Sequence, residues 1–241
     1  MVIGNLKLVR TAQRPSKASE RPTCLSSARL SRPLFFAFLM LSALVGASAQ
    51  VGAGARTYTS NEKPTSLVVV LDATSSMAAK IDEAQKAVAE LVRASSPQSE
   101  FALVVVRDEP QVAVHLGGSK VEMERAASTV HADGFGTMWD GMYLGLRELQ
   151  NSRSGRKALV VISDDGDNCG RHTPSELMSL LKKSDVRAYA IGTFDRYANR
   201  FQTRMRALQI DEAISPTGGR MIPANDFSYA ADQIIQELRH Q

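Results

Sequence analysis

Cysteine is almost missing from this 241-residue chain: Cys24 falls in the first segment and Cys169 stands alone in the remainder. A lone cysteine cannot close an intrachain bridge, so no disulfide framework supports the fold even in an oxidising compartment, and Cys169 reads as an unpaired loop residue. The signatures of common enzyme chemistry are missing too. No Gly-x-Gly-x-x-Gly follows a strand pattern, no Gly-Lys-Ser/Thr loop occurs, and there is neither a His-Glu-x-x-His nor a Gly-x-Ser-x-Gly. These absences exclude phosphate-cradling loops, zinc-protease chemistry and a serine-hydrolase elbow. No internal repeat divides the chain.

Net positive charge is confined to the first segment, although the whole chain carries a formal net charge of +4. Residues 1–33 hold seven Lys/Arg against the single acid Glu20, a local net of +6, and residues 34–49 are uncharged, which leaves −2 from Gln50 onward. The high isoelectric point therefore belongs to the leader, and nucleic acid is not an expected partner. The basic segment, the apolar run Leu34–Gly46 and the small-x-small sequence Ala47-Ser48-Ala49 read as an export signal over residues 1–49 that would release Gln50. The alternative is an uncleaved anchor of about 20 residues, because no charge interrupts Leu34–Ala55; the positive-inside rule would still put the C-terminal domain outside. The expected location is periplasmic or secreted, or membrane-anchored with the domain outside. Residues 50–64 read as a short polar linker, and residues 65–241 as one domain.

In that domain two periods alternate. Strand patterns occupy Leu67–Leu71, Phe101–Arg107, Gln111–Leu116, Ala158–Ile162, Val186–Ile191 and Arg220–Ile222. Helical patterns fill Ser76–Ala94, Ser119–Val130, Met138–Gln150, Pro174–Ser184, about Arg200–Ile214, and Asp226–Leu238. Thr173 before Pro174 marks a helix start, with the hydroxyl as cap and proline in the first turn. Leu67–Leu71 and Ala158–Ile162 are apolar without alternation, as in strands covered on both faces. Only the two strands around Glu109-Pro110 are close enough for a tight hairpin. The expectation is an α/β fold: an open doubly wound, mostly parallel six-stranded sheet with one antiparallel edge strand, helices on both faces, and strand order 3-2-1-4-5-6.

Such sheets bind ligands beyond the carboxyl ends of their strands, where the connection direction reverses. After the first strand stand Asp72, Thr74 and Ser76; after the fourth, Ser163-Asp164-Asp165-Gly166-Asp167; between them, Asp133-Gly134-Phe135-Gly136-Thr137 opens a helix with a hydroxyl. Acids and hydroxyls suit a hard divalent cation, which prefers oxygen ligands. The plainer reading of the same hydroxyls is helix capping.

The order of elements, Asp72-x-Thr74-x-Ser76-Met77, Gly136-Thr137 opening the third helix, Ser163-Asp164-x-Gly166-Asp167, and Thr217-Gly218-Gly219 before the sixth strand together resemble a von Willebrand factor A domain of the exported bacterial type, over roughly Ser66–Leu238. The resemblance implies a metal-ion-dependent adhesion site holding Mg2+, or Mn2+ or Ca2+. Thr74 and Ser76 would be direct ligands and Thr137 a ligand in some states. Asp72 and Asp164 would act directly or through water, with Asp165 and Asp167 just outside the ligand set. The chain departs from the family by Thr74, where serine is more frequent, and by Asp165, where glycine is.

The implied function is adhesive or protein–protein binding, in which the cation takes a carboxylate from a protein or other extracellular partner. No catalytic residue is assigned and the domain is not expected to be an enzyme. The competing readings are a metal-assisted hydrolase using His131 or His172 as base, and a scaffold whose metal is incidental. Trp139 and Tyr143 read as packing residues, Arg196, Arg200, Arg204 and Arg206 as a solvated basic face, and Asp167 and Asn168 as turn residues.

Overall fold

The apolar run that predicts the first strand is buried along its whole length. In β1 (Ser66–Asp72), every side chain from Leu67 to Leu71 is inaccessible to solvent. The computed structural model describes residues 63–164, 170–192 and 201–240, without the side chains of 201–207. All of these belong to the compact unit Gly52–Gln241.

β1 is joined by β2 (Glu100–Arg107), β3 (Glu109–Gly118), β4 (Lys157–Ser163), β5 (Val186–Gly192) and β6 (Met221–Pro223) in one sheet of order β3-β2-β1-β4-β5-β6. Only β2 and β3 pair antiparallel; the other neighbours run parallel, with Val70 of β1 level with Val104 of β2 and Val161 of β4. The fold and strand order are those expected from sequence. Alternation sends successive side chains of β1 to opposite layers. Leu67, Val69 and Leu71 pack with Ala84, Val88 and Leu91 of α1 (Ile81–Arg93), Met123 of α2 (Lys120–Ser128) and Ile234 of α6 (Phe227–Arg239). Val68 and Val70 pack with Met142 and Leu146 of α3 (Met138–Leu149), Leu177 of α4 (Pro174–Lys183) and Ile210 of α5 (Phe201–Ile214).

The first helix departs from expectation. A continuous period over Ser76–Ala94 predicts one helix, but the chain makes a tight 3-10 turn over Ser75–Ala79 and starts α1 only at Ile81. The amides of Met77 and Lys80 bond three residues back, to Thr74 and Met77, whereas Ala84 bonds four back, to Lys80. The turn seats Met77 in the core while Ser75 and Ser76 remain exposed. The start of α4 is as expected: Thr173 and Glu176 form a reciprocal capping box ahead of the buried Leu177.

Two features of α3 fix where the loops at the carboxyl end of the sheet sit. The first is small residues facing the sheet. A Cβ on Gly141 would lie 2.4 Å from Val106 Cγ2, and one on Gly145 2.8 Å from Leu159 Cδ1. Glycine thus lets the helix axis approach the sheet closely, despite a helix-propensity cost of about 1 kcal/mol relative to alanine.

The second is Asp140 in the first turn of α3, which is 8 % exposed. Its carboxylate accepts the amides of Arg171 and His172 at 2.9 Å each and the Nδ1 of His172 at 2.5 Å. The His172 ring stacks on Tyr143, with centroids 3.8 Å apart. Asp140 thereby ties α3 to the segment that enters α4. Burial pushes its pKa up, but the bonds from the Arg171 amide and from His172 outweigh burial and hold the carboxyl below its ordinary value.

Gly141→Val should lower unfolding free energy by about 1–3 kcal/mol through overpacking against Val106, read as a lower urea midpoint at unchanged slope; an unchanged midpoint would contradict the close approach. For Asp140, the depressed native pKa means that its contribution is complete above the ordinary carboxylate range and is lost as pH falls below about 4. Asp140→Asn should therefore cost about 1.5–3 kcal/mol at pH 7, and the gap to wild type should narrow between pH 4 and 2. A gap independent of pH would refute the charged brace.

Candidate metal centre

The loops converge where β1 and β4 lie side by side, which is where the connections reverse direction. Asp72 ends β1 at 4 % exposure, directly after five fully buried apolar residues. One carboxylate oxygen accepts the Ser163 hydroxyl at the end of β4 at 2.5 Å, and the other accepts the Thr74 amide at 2.9 Å. One side chain thus joins two strands and bends the chain out of the sheet. Burial raises the Asp72 pKa above its ordinary value, against the opposing effect of the Ser163 and Thr74 hydrogen bonds. An acid whose ionised form is costly in this way is one that a nearby cation would stabilise.

From Asp72 a line of oxygens leads outward. Thr74 Oγ1 lies 3.0 Å from Ser76 Oγ, and Ser76 Oγ donates to Asp164 Oδ1 at 2.8 Å. Thr74 stands at the cap position of the 3-10 turn, yet its hydroxyl makes no capping bond, so the capping reading does not account for it. Asp164 is 9 % exposed, and its other oxygen, Oδ2, accepts Lys80 Nζ at 3.2 Å. Lys80, four residues after Ser76, was not a site candidate on sequence; its acid partner lies 84 positions along the chain, a separation to which local pattern gives no clue.

The third loop is fastened to the first. Gly134 O accepts both the amide and the hydroxyl of Ser75 at 3.1 Å, and Ala73 O accepts the Asp133 amide at 2.8 Å. Asp108, in the β2–β3 turn with φ 49°, donates its amide to Phe135 O at 2.8 Å and accepts the Phe135 amide at 3.1 Å. Gly134 has φ +72°, and a Cβ there would strike the Asp108 carboxylate at 2.3 Å, so the turn requires glycine twice over. Gly136 backs onto Thr74 closely enough that its Cβ would lie 2.8 Å from Thr74 Cγ2.

Four of the candidates, Asp72, Thr74, Ser76 and Asp164, therefore form one connected group. Thr137 is next to them through its loop, but its hydroxyl makes a long 3.4 Å bond to Asp108 O. Asp165, Asp167, Asn168, Cys169, Arg196 and Arg200 lie outside the described residues, as do the side chains of Arg204 and Arg206. Trp139 is buried in the α3 layer and Tyr143 packs on His172, both in packing roles. His131 is exposed.

The donors suit a hard cation. Thr74, Ser76 and Asp164 have neighbouring oxygens joined by hydrogen bonds of 3.0 and 2.8 Å, so a cation could take their lone pairs once the hydroxyl protons turn outward. All the donors are oxygens, and two of the four are hydroxyls; among the described residues no group of three or more His, Cys, Asp or Glu side chains is placed to hold a metal ion.

The von Willebrand factor type A domain model matches residues 66–237. No curated protein matches the chain. Similar solved structures include a von Willebrand factor type A protein from Catenulispora acidiphila, at 16 % identity and TM-score 0.59, covering 74 % of this chain and 42 % of that one. An aerotolerance-related membrane protein from Bacteroides fragilis has 16 % identity and TM-score 0.59, with coverage of 73 % and 100 %. Proximal thread matrix protein 1 from the mussel byssus, in a structure with a zinc-occupied MIDAS motif, has 20 % identity and TM-score 0.58, with coverage of 73 % and 45 %. This chain thus spans less than half the length of the first and third of these. At such identities the structures speak for the fold, and with the family match over most of the sequence they lead to one conclusion: this chain belongs to the von Willebrand factor type A domain family.

Proposed function

We propose that the domain holds a divalent cation, a hard one such as Mg2+ by its all-oxygen donor set, at Thr74, Ser76 and Asp164, with Asp72 behind them and Thr137 joining when a ligand arrives. The cation then binds a carboxylate of a protein partner outside the cell. The observation that carries this reading is the unbroken line of oxygens from Thr74 through Ser76 to Asp164, beyond the carboxyl ends of β1 and β4.

The surface around the group supports a binding role. Phe135, two residues before Thr137, is 85 % exposed while its backbone amide and carbonyl are both held by Asp108. A pre-ordered aromatic beside a cation is the kind of anchor that protein interfaces use. The export signal read in residues 1–49 sets the domain in the periplasm or beyond. The membrane protein and the byssus matrix protein among the similar structures are in keeping with that placement. Among the described residues no helix is long and apolar enough to cross a membrane.

We read the domain as a binding module and assign no catalysis. His172, one of the two candidate bases, has its Nδ1 taken by Asp140 and its ring stacked on Tyr143, which accounts for it as part of the brace.

Calorimetric titration of Mg2+ and Mn2+ into the purified protein should give saturable binding, weakened at least tenfold in Asp72→Asn and Asp164→Ala. Asparagine is the better replacement at position 72, because alanine would also remove the acceptor of the Ser163 hydroxyl and the Thr74 amide, at about 1–3 kcal/mol for each donor left unpaired. A folded wild type that binds neither ion would overturn the proposal and leave a scaffold. If the metal were incidental, partner capture would continue in the presence of a chelator.

A further inference from the structure

Lys80 is the one cation among the described residues bonded to the proposed ligand group, and the capping and packing of α1 do not require it. Its backbone sits at the joint between the 3-10 turn and α1, with its amide bonded to Met77 O and its carbonyl accepting the Ala84 amide. Its side chain is about one-third exposed and turns back to Asp164 Oδ2 at 3.2 Å, while Asp164 Oδ1 faces Ser76. The two oxygens of one buried carboxylate are therefore divided between a fixed ammonium and the place proposed for the metal.

We infer that Lys80 tunes the charge of the loaded site: it weakens retention of the dication and makes the occupied centre more positive, so that an anionic group of the partner is attracted to it. This rests on the adhesion-site reading above and deepens it. Of the described groups in contact with the ligand set, Asp72 and Asp164 are acids and Lys80 is a base. Two carboxylates would cancel a dication, and Lys80 makes the loaded group one unit more positive than it would be without the ammonium.

The same ammonium opposes the metal's entry. A cation bound about 2.1 Å from Asp164 Oδ1 would lie roughly 5–6 Å from Lys80 Nζ, and even with water-like screening the repulsion between them is worth about a tenfold change in affinity. Lower salt would enlarge the effect, because the Debye length at about 0.1 M salt is roughly 10 Å. Lysine therefore exchanges metal affinity for anion affinity, and the bound partner's carboxylate supplies the charge that holds the metal more firmly. Metal and partner are expected to bind with positive coupling, each strengthening the other.

The test compares the full chain with Lys80→Met, which keeps the aliphatic stem, and Lys80→Arg, which keeps the charge. Mg2+ alone is titrated into each at low and high salt. Acetate is then titrated into the Mn2+-loaded proteins, with water-proton relaxation as the readout. Lys80→Met should bind Mg2+ about tenfold more tightly, with the gain shrinking at high salt, and its Mn2+ complex should bind acetate several-fold more weakly. Lys80→Arg should resemble wild type in both. Unchanged or weaker Mg2+ binding in Lys80→Met would mean that Lys80 only orients Asp164, and unchanged acetate binding would remove the anion-attracting role; either result overturns the inference while the adhesion-site reading stands. Absence of metal binding in all three folded proteins would instead overturn that reading, and the inference with it.

Discussion

Everything at the loop end of this domain depends on keeping Asp72 ionisable inside the fold. Five fully buried apolar residues drive β1 through the middle of the sheet, and the next side chain is a carboxylate with almost no access to water. Its two hydrogen bonds solve the problem locally. The Ser163 bond fastens the ends of β1 and β4 together at the seam of the sheet, and the Thr74 bond turns the chain so that the next hydroxyls come forward. A buried polar group held in this way is costly to disturb, because its donors would have to find new acceptors. The price in desolvation also leaves a residual demand for positive charge, which a metal would satisfy.

Around that centre the loops are held by backbone rather than by long side chains. Ser75 and Asp133 bind the first loop to the third, and Asp108 binds the third to the β2–β3 turn. On the far side, Asp140 joins the start of α3 to the approach to α4. The loops bearing Thr74 and Thr137 thus share one bonded network, while α3, which Thr137 opens, is tied in turn to Arg171 and His172 ahead of α4. Such preorganisation lowers the entropic cost of binding, since few groups remain to be ordered when a ligand arrives.

What the sequence made legible follows from the range of the interactions. The strands and their order could be read because β1 and β4 are continuous apolar runs, and because the strand patterns on either side of Asp108 are too close for a crossover. Asp72, Thr74, Ser76 and Asp164 could be singled out because each follows a strand end. The break at Lys80 was hidden, since the apolar period of Ser76–Ala94 runs through it without a glycine or proline. The roles of Lys80, Asp108 and Asp140 were hidden for a different reason. Each depends on a partner between 27 and 84 residues away, and only the folded chain brings those pairs together.

The edges of the sheet have a consequence for how copies of this protein can gather. At one edge, β3 carries Pro110 and an exposed Glu109, and its pairing with β2 is interrupted by irregular register. At the other, β6 is three residues long and ends in Pro223. Proline offers no ladder donor, and short or bulged strands make poor templates for a further strand. Crowded copies are thereby discouraged from polymerising side by side into fibres. On the proposed reading, association would be directed instead to the loop end, where withdrawing an ion would reverse it.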